Sequence, residues 1–158
     1  MGAVMDVSIL AKAPYFDPLE ARHDLTRLVN EAGGASEARP MLLDYCKALL
    51  RNARASAQAQ LSADGNGRRC ASGLSQFTDE LVRLIYDYTV AHVYRATNPS
   101  DAERMAIVAT GGFGRGLLAP GSDVDLLFLL PYKQTPWGES VAEYMLYLLW
   151  DLGLKVGP

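Results

Sequence analysis

The chain has 158 residues, of which 49% are hydrophobic and 21% are charged, and its formal net charge is −3 at pH 7. This composition is typical of a globular protein that can bury a core. The small negative charge argues against a general nucleic-acid binder, which usually carries a basic excess. No apolar run reaches the length of about 18 residues that a membrane-spanning helix needs, and no signal peptide is evident. We therefore expect a cytoplasmic protein that does not enter a membrane.

Cysteine usage gives no metal or disulfide pattern. Cys46 and Cys70 are far apart, and neither belongs to a Cys-x-x-Cys motif or lies near a histidine in the sequence. Structural zinc sites need closely spaced ligands, and disulfide frameworks need several cysteine pairs. We expect two reduced thiols.

The first hundred residues are predicted to be mainly helical. Asp17 followed by Pro18 is typical of a helix start, and Gly33 is typical of the end of that helix. Ser36 is predicted to cap a second helix, which is rich in Ala, Leu, Arg and Gln over residues 41–61.

A loop with the sequence SADGNGRR is predicted over residues 62–69, because glycine and asparagine favour turns. The helix that follows has apolar residues at helical spacing, and it is predicted to stop near residues 96–101, where an Asn-Pro pair occurs. Its predicted buried face consists of Phe77, Leu81, Leu84, Ile85 and Tyr88.

The hydrophobic pattern then changes from helical to extended. Residues 105–111 and 124–131 are short apolar runs between turn residues, which predicts two buried strands. Residues 137–152 return to helical spacing, and residues 154–157 are predicted to open a further strand.

The segment GGFGRGLLAPGSDVD joins the two predicted strands. Gly111 and Gly112 allow positive φ and close approach of the backbone to a ligand, which suits phosphate oxygens. Asp123 and Asp125 are one residue apart at the start of a strand, so alternation points both carboxylates to the same side. Carboxylates beside an apolar run are costly unless a cation neutralises them, and magnesium prefers such ligands. The pattern predicts a metal and phosphate site.

Two further polar residues in this segment suit the same chemistry. Arg115 has a planar cation that matches phosphate, and Ser122 can donate a hydrogen bond. A glycine pair after a strand is common by itself, and so is an aspartate pair at a turn. The complete spacing is the specific feature.

Two glycines, ten intervening residues and Asp-x-Asp entering an apolar strand resemble the nucleotidyltransferase superfamily, which has the DNA polymerase beta-like fold. GGFGRGLLAPGSDVDLLFL and YLLWDLGLKVG resemble, more narrowly, the amino-terminal catalytic domain of bacterial bifunctional uridylyltransferase/uridylyl-removing enzymes. The resemblance extends more weakly through SQFTDELVRLIYD and the helical amino terminus. It therefore covers most of the chain.

The resemblance implies that Gly111 and Gly112, helped by Ser122, hold the phosphates of UTP, and that Asp123 and Asp125 bind Mg²⁺. The implied reaction is in-line attack by a tyrosine hydroxyl of the nitrogen-signalling protein PII on the α-phosphorus of UTP, with release of pyrophosphate. HD-type hydrolase and ACT domains are implied beyond this segment. A phosphate role for Arg115 is inferred from its chemistry alone.

The metal site is expected to be incomplete in this chain. Members of the superfamily add a third carboxylate from a later strand, and the sequence ends at Pro158, before such a strand. The acidic residues after the motif, Glu139, Glu143 and Asp151, fall in the predicted helix. We expect a piece of a longer enzyme with impaired catalysis.

Other chemically suggestive residues are expected to be structural. His23-Asp24 resembles part of an HD metal site, but it lies within a predicted helix and the chain has only two histidines. Lys133 is expected to be solvent-exposed. The aromatic residues near the last predicted helix are attributed to packing rather than base stacking, and these are Trp137, Tyr144, Tyr147 and Trp150.

The predicted fold is α+β, with a mainly helical region over residues 1–100. Residues 101–158 are predicted to form the first part of a nucleotidyltransferase domain, with a mixed sheet that is truncated before the third carboxylate strand. The favoured function is transfer of UMP from UTP to PII. The alternatives are a protein adenylyltransferase of the glutamine synthetase-modifying type and a non-catalytic module that binds a nucleotide or a partner.

Overall fold

The computed structural model describes residues 14–95, 105–119, 121–130 and 135–157. Its helices in this part of the chain are α1 (Pro18–Ala32), α2 (Ala35–Asp64), α3 (Gly67–Tyr88), α4 (Gly111–Gly114) and α5 (Pro136–Asp151). Its strands are β1 (Ala106–Thr110), β2 (Val124–Leu129) and β3 (Val156–Gly157). The predicted α+β class is confirmed.

Helix α1 begins and ends where the sequence predicts. The Asp17 carboxylate accepts hydrogen bonds from the backbone N–H groups of Leu19 and Glu20, at 3.0 and 3.3 Å. These bonds satisfy donors that have no partner inside the helix. Gly33 ends the helix in the left-handed conformation, with φ of 88°.

Helix α2 begins earlier than predicted. Gly34 is the residue before the helix, and Ser36 lies within its first turn, so the prediction that Ser36 caps the helix is wrong. Pro40 consequently lies inside the helix rather than in its first turn. A proline there removes one backbone hydrogen bond, and the 30-residue helix tolerates that loss.

The predicted loop over residues 62–69 is wrong in extent, because α2 continues to Asp64 and α3 begins at Gly67. Gly65 takes a left-handed conformation with φ of 63°, and the Asn66 side chain accepts from the backbone N–H of Arg69 at 3.0 Å. Gly65 therefore ends α2 and Asn66 begins α3, so the two helices are connected without a longer loop.

Helix α3 continues as a π-helical turn over Thr89–Val93. The apolar face predicted for this helix is confirmed, since Phe77, Leu81, Leu84, Ile85 and Tyr88 are each at most 3% exposed. The predicted stop signal at Asn98-Pro99 lies outside the described residues.

The strands form a mixed sheet in the order β1-β2-β3. β1 and β2 are antiparallel, with Thr110 opposite Asp125, and β2 and β3 are parallel, with Asp125 opposite Gly157. The three strands that the sequence predicts are therefore present, and the central strand is the one that begins beside the aspartate pair.

The prediction that both long strands are buried is wrong for one face of the sheet. Val124 and Leu126 of β2 are 1% and 2% exposed because they join the core formed with the helices. On the opposite face, Val108, Leu127 and Leu129 are 38%, 45% and 47% exposed. An apolar run in the sequence does not reveal that helices cover one face only.

One continuous cluster of buried side chains connects the helices with the sheet. Its contributors include Leu25 of α1, Leu42 of α2, Phe77 of α3, Leu126 of β2 and Met145 of α5. The predicted apolar face of α5 is confirmed, because Val141, Met145, Leu148 and Leu149 are fully buried. The division of the chain near residue 100 stays a prediction.

Both cysteines are buried and free. Burial raises the pKa of the Cys46 thiol to about 12, so this thiol stays protonated at neutral pH. Among the described helices, none combines the length and the apolar composition that a bilayer crossing requires.

Phe77 provides a direct test of the helical core. Its ring is 0% exposed, and it meets the rings of Tyr15 and Phe16 edge-on at centroid distances of 6.3 and 5.5 Å. We expect Phe77→Ala to lower the free energy of unfolding by about 3–5 kcal/mol, because the site loses buried area and leaves a cavity. Urea denaturation followed by circular dichroism measures this change.

The matched control is Gln76→Ala, because Gln76 is the exposed neighbour on the same helix. Its substitution should change the free energy of unfolding by less than about 0.5 kcal/mol. A loss below about 1 kcal/mol for Phe77→Ala would contradict the buried position of this ring.

Candidate active site

The aspartate pair lies at the beginning of the central strand. Asp123 directly precedes β2 and is exposed, whereas Asp125 is the second residue of β2 and is half-buried. Val124, between them, is 1% exposed and points into the core. Since neighbouring strand residues point to opposite faces, Asp125 lies on the side away from the helices, and the same alternation predicts that side for Asp123.

The first glycine of the motif touches this acidic site. Gly111 follows β1 directly and has a φ of 61°. A Cβ atom at Gly111 would lie 2.5 Å from Oδ2 of Asp125, so the carboxylate would have to move to admit a side chain. The structure therefore brings Gly111 and the second carboxylate into contact, and the positive φ favours glycine at this position.

The second glycine lies beside the arginine of the motif. The backbone N–H of Arg115 donates to the carbonyl oxygens of Gly111 and Gly112, both at 3.2 Å, which closes the short helix α4. The Arg115 side chain is exposed, and its Nη2 lies 3.9 Å from the position a Cβ would take at Gly112. Arg115 forms no salt bridge with a carboxylate of the described residues, so its charge faces solvent at the glycine pair.

Ser122 is placed differently from the other motif residues. Its backbone N–H donates to the carbonyl of Ala119 at 3.0 Å, and its exposed side chain borders a cavity of about 650 Å³. Val124 also lines this cavity, and its side chain points away from the face of Asp125. The phosphate role of Ser122 stays a prediction.

Two residues that sequence reasoning did not select hold this segment in place. A Cβ at Gly114 would lie 2.7 Å from the carbonyl oxygen of Ala109, so α4 packs directly on the backbone of β1. Leu118 is 7% exposed, and its backbone N–H donates to the carbonyl of Ala71 in α3 at 3.0 Å. Two features of the sequence could have indicated these roles. They are the third glycine of GGFG, which is Gly114, and the leucine pair at residues 117–118 within a turn-rich segment.

The donor set fits magnesium only in part. Mg²⁺ commonly takes one or two carboxylates and completes its shell with water and substrate phosphates, which suits Asp123 and Asp125. Within the described residues, no group of three His, Cys, Asp or Glu side chains is placed to hold a metal. Asp151 lies on α5, as predicted, and pairs with Arg39 at 2.8 Å.

Of the residues expected to be structural, Asp24, Trp137 and Trp150 have partners within the fold, and His23, Tyr147 and Trp150 are exposed. Asp24 accepts a hydrogen bond from the Tyr45 hydroxyl at 2.7 Å and pairs with Arg27 at 2.6 Å. The indole N–H of Trp137 donates to the carbonyl of Tyr94 at 2.8 Å, and that of Trp150 donates to Val156 at 3.2 Å. Lys133 lies outside the described residues.

Comparison with known proteins agrees with the motif. Residues 97–155 match the family described as nucleotidyltransferase domain. The bifunctional uridylyltransferase/uridylyl-removing enzyme of Bradyrhizobium sp. (strain ORS 278) is 60% identical over 119 residues, which are 75% of this chain and 13% of that enzyme. The enzyme of the same name from Bradyrhizobium sp. (strain BTAi1 / ATCC BAA-1182) is 53% identical over 145 residues, which are 91% of this chain and 16% of the relative.

A third relative of that name, from Rhodopseudomonas palustris (strain ATCC BAA-98 / CGA009), is 50% identical over 143 residues, or 90% of this chain and 15% of its own length. No solved structure matches the chain. The chain spans about 13–16% of the length of these curated relatives. Residues 97–155 therefore match the nucleotidyltransferase domain family, and most of the chain is similar to a segment of bifunctional uridylyltransferase/uridylyl-removing enzymes, as its sequence predicted.

Proposed function

We propose that this chain supplies the nucleotide-binding and metal-binding part of an enzyme that transfers UMP from UTP to a tyrosine of PII. The observation that carries the proposal is the contact between Gly111 and Asp125, where a Cβ would lie 2.5 Å from the carboxylate oxygen. A backbone that approaches phosphates and a carboxylate that holds a metal are needed at one place in nucleotidyl transfer. The names of the related enzymes favour uridylyl over adenylyl transfer.

The glycine pair and Arg115 would hold the triphosphate of UTP. Gly111 and Gly112 have no side chains between their backbone and a ligand, so phosphate oxygens can approach the main chain closely. Arg115, exposed beside Gly112, supplies a cation that can donate two parallel hydrogen bonds to phosphate. The short helix α4 holds these groups in place because Gly114 packs on the backbone of β1.

Asp123 and Asp125 would hold Mg²⁺ on the open face of the sheet. The bound ion neutralises the charge that develops on phosphate oxygens during transfer. The carboxylates contribute position as well as charge, because the core anchors Val124 between them at 1% exposure. A third carboxylate, if the enzyme uses one, is proposed to come from outside the described residues.

The remaining properties of the parent enzyme are also proposals. We infer that the uridylyl-removing activity named for the relatives lies outside these residues, in an HD-type hydrolase domain, because the chain has only two histidines. ACT domains that sense glutamine are likewise proposed to lie outside them. A cytoplasmic location is supported by the globular composition and by the two free cysteines, which suit a reducing compartment. General nucleic-acid binding is not proposed for a chain with a net charge of −3.

The aspartates can be tested in a chimaera in which residues 1–158 replace the matching segment of the Bradyrhizobium sp. (strain BTAi1 / ATCC BAA-1182) relative. We expect Asp123→Asn and Asp125→Asn each to reduce Mg²⁺-dependent incorporation of labelled UMP into PII by at least about a hundredfold, or about 2.7 kcal/mol of the barrier. The amide keeps the shape of the side chain and removes the charge that binds the metal.

Asp44→Asn is the control for that experiment, because Asp44 is exposed on α2 and away from the motif. It should leave incorporation unchanged. Full activity in both motif variants would refute the metal assignment. Incorporation of labelled AMP in place of UMP would favour the adenylyltransferase alternative, and Mg²⁺-dependent nucleotide binding without transfer would favour the non-catalytic one.

A second experiment distinguishes the effect of the contact between Gly111 and Asp125 from the effect of backbone strain in the loop. Gly111 and Gly116 both have positive φ, of 61° and 74°, so alanine at either position should cost about 1 kcal/mol of stability. Only at Gly111 does the new Cβ meet Asp125, whereas nothing lies within 4 Å of Gly116. In the chimaera, we expect Gly111→Ala to reduce UMP transfer at least about tenfold more than Gly116→Ala.

The free energies of unfolding of the two variants, measured by urea denaturation, should be similar. The Asp125 carboxylate can rotate away from a Cβ at Gly111, so the contact itself should add little to the loss of stability. Similar stabilities combined with unequal transfer would support the proposal. Equal transfer by the two variants would mean that the close approach has no part in the reaction.

A further inference from the structure

A cavity of about 650 Å³ lies between the helices and the segments that lead into β2 and β3. Helices α2 and α3 form one side, and the loop after α4 together with the turn after α5 forms the other. The inner wall is apolar and buried, and it consists of Leu50, Ala57, Leu74, Phe77, Leu118 and Val124. A volume of this size suits a small organic molecule.

The charge of the cavity differs from that of the chain. Arg54 and Lys155 line it, and none of the described residues that line it is acidic, although the whole chain has a net charge of −3. Both cationic side chains are exposed, and neither forms a salt bridge with a carboxylate in the described part of the chain. Their charges are available to an anion at the rim.

The cavity is separate from the candidate active site and yet adjoins it. Val124 points into the cavity, and Asp125 lies on the other face of β2. Gly121 and Ser122 line the cavity directly before Asp123. The backbone N–H of Val124 also donates to the carbonyl of Lys155 at 2.7 Å, so the cavity wall includes the segments that begin both parallel strands.

We propose that this cavity binds a small molecule with an apolar body and one anionic head group. The body packs along the half-buried Leu61 and Leu154 and over the inner wall at Leu74, and the apolar surface that these side chains still expose contributes to the affinity when it is covered. The head group lies at the rim between Arg54 and Lys155, where a carboxylate gains charge-assisted hydrogen bonds. This is a binding site beyond the proposed nucleotidyl transfer, and it contacts the residues that precede Asp123.

Isothermal titration calorimetry of the chain with octanoate and with octan-1-ol tests the proposal. The two probes share an apolar tail and differ in the charge of the head group. We expect octanoate to bind with one-to-one stoichiometry and at least about tenfold more tightly than octan-1-ol. Inorganic phosphate, which has charge and no apolar body, should not bind at concentrations that saturate the site with octanoate.

Variants locate the binding site. Arg54→Gln and Lys155→Gln should each weaken octanoate binding about three- to tenfold and leave octan-1-ol binding unchanged. Arg51→Gln is the matched control, because Arg51 is exposed on the same helix and does not line the cavity. Ala57→Leu places a larger side chain in the inner wall, so it should weaken both probes, and circular dichroism confirms that each variant folds.

The proposal is overturned if octanoate fails to bind or binds no better than octan-1-ol. It is also overturned if Arg51→Gln weakens binding as much as Arg54→Gln, because the effect would then be one of overall charge. All these measurements detect binding in the absence of nucleotide and acceptor. Their failure would therefore leave the proposed nucleotidyl transfer unaffected, and a failure of transfer would leave the cavity assignment unaffected.

Discussion

The contact between Gly111 and Asp125 is the constraint on which the candidate active site depends. Antiparallel pairing places Thr110 opposite Asp125, so the residue after β1 meets the second residue of β2. A Cβ there would lie 2.5 Å from the carboxylate, so any other residue at Gly111 would displace that carboxylate from its position. Strand register, rather than the conformation of the connecting loop, therefore brings together the groups that are proposed to bind phosphate and metal.

The helices complete this arrangement by holding the connecting segment. A flexible loop costs conformational entropy when its ends are held together, and a buried anchor within it reduces the freedom that remains. Leu118 is such an anchor, because it is 7% exposed and its backbone N–H donates to Ala71 of α3. The helical part of the chain thus supports the site, although none of its side chains is proposed to act on the substrate.

The sequence predicts the structure well where one residue determines the local backbone. Asp17 and Gly33 mark both ends of α1, and the Asp-x-Asp pattern marks the start of β2. It predicts less where tertiary contacts decide. Glycine and asparagine over 62–69 indicate a turn, but they do not show that two residues are enough to connect α2 with α3. The apolar run of β2 does not show which face of the sheet the helices leave exposed. The anchoring role of Leu118 likewise depends on a helix far away in sequence.

The two faces of β2 explain why carboxylates can precede an apolar run. Val124 and Leu126 are buried against the helices and keep the strand rigid, while Asp125 remains on the open face, where water or a cation can neutralise it. Burial on one face thus fixes the position of Asp125, while the other face leaves its carboxylate half-buried rather than enclosed in the core. The same division gives the chain two separate surfaces beside one strand, because the cavity at Val124 and the acidic site at Asp125 lie on opposite sides of it.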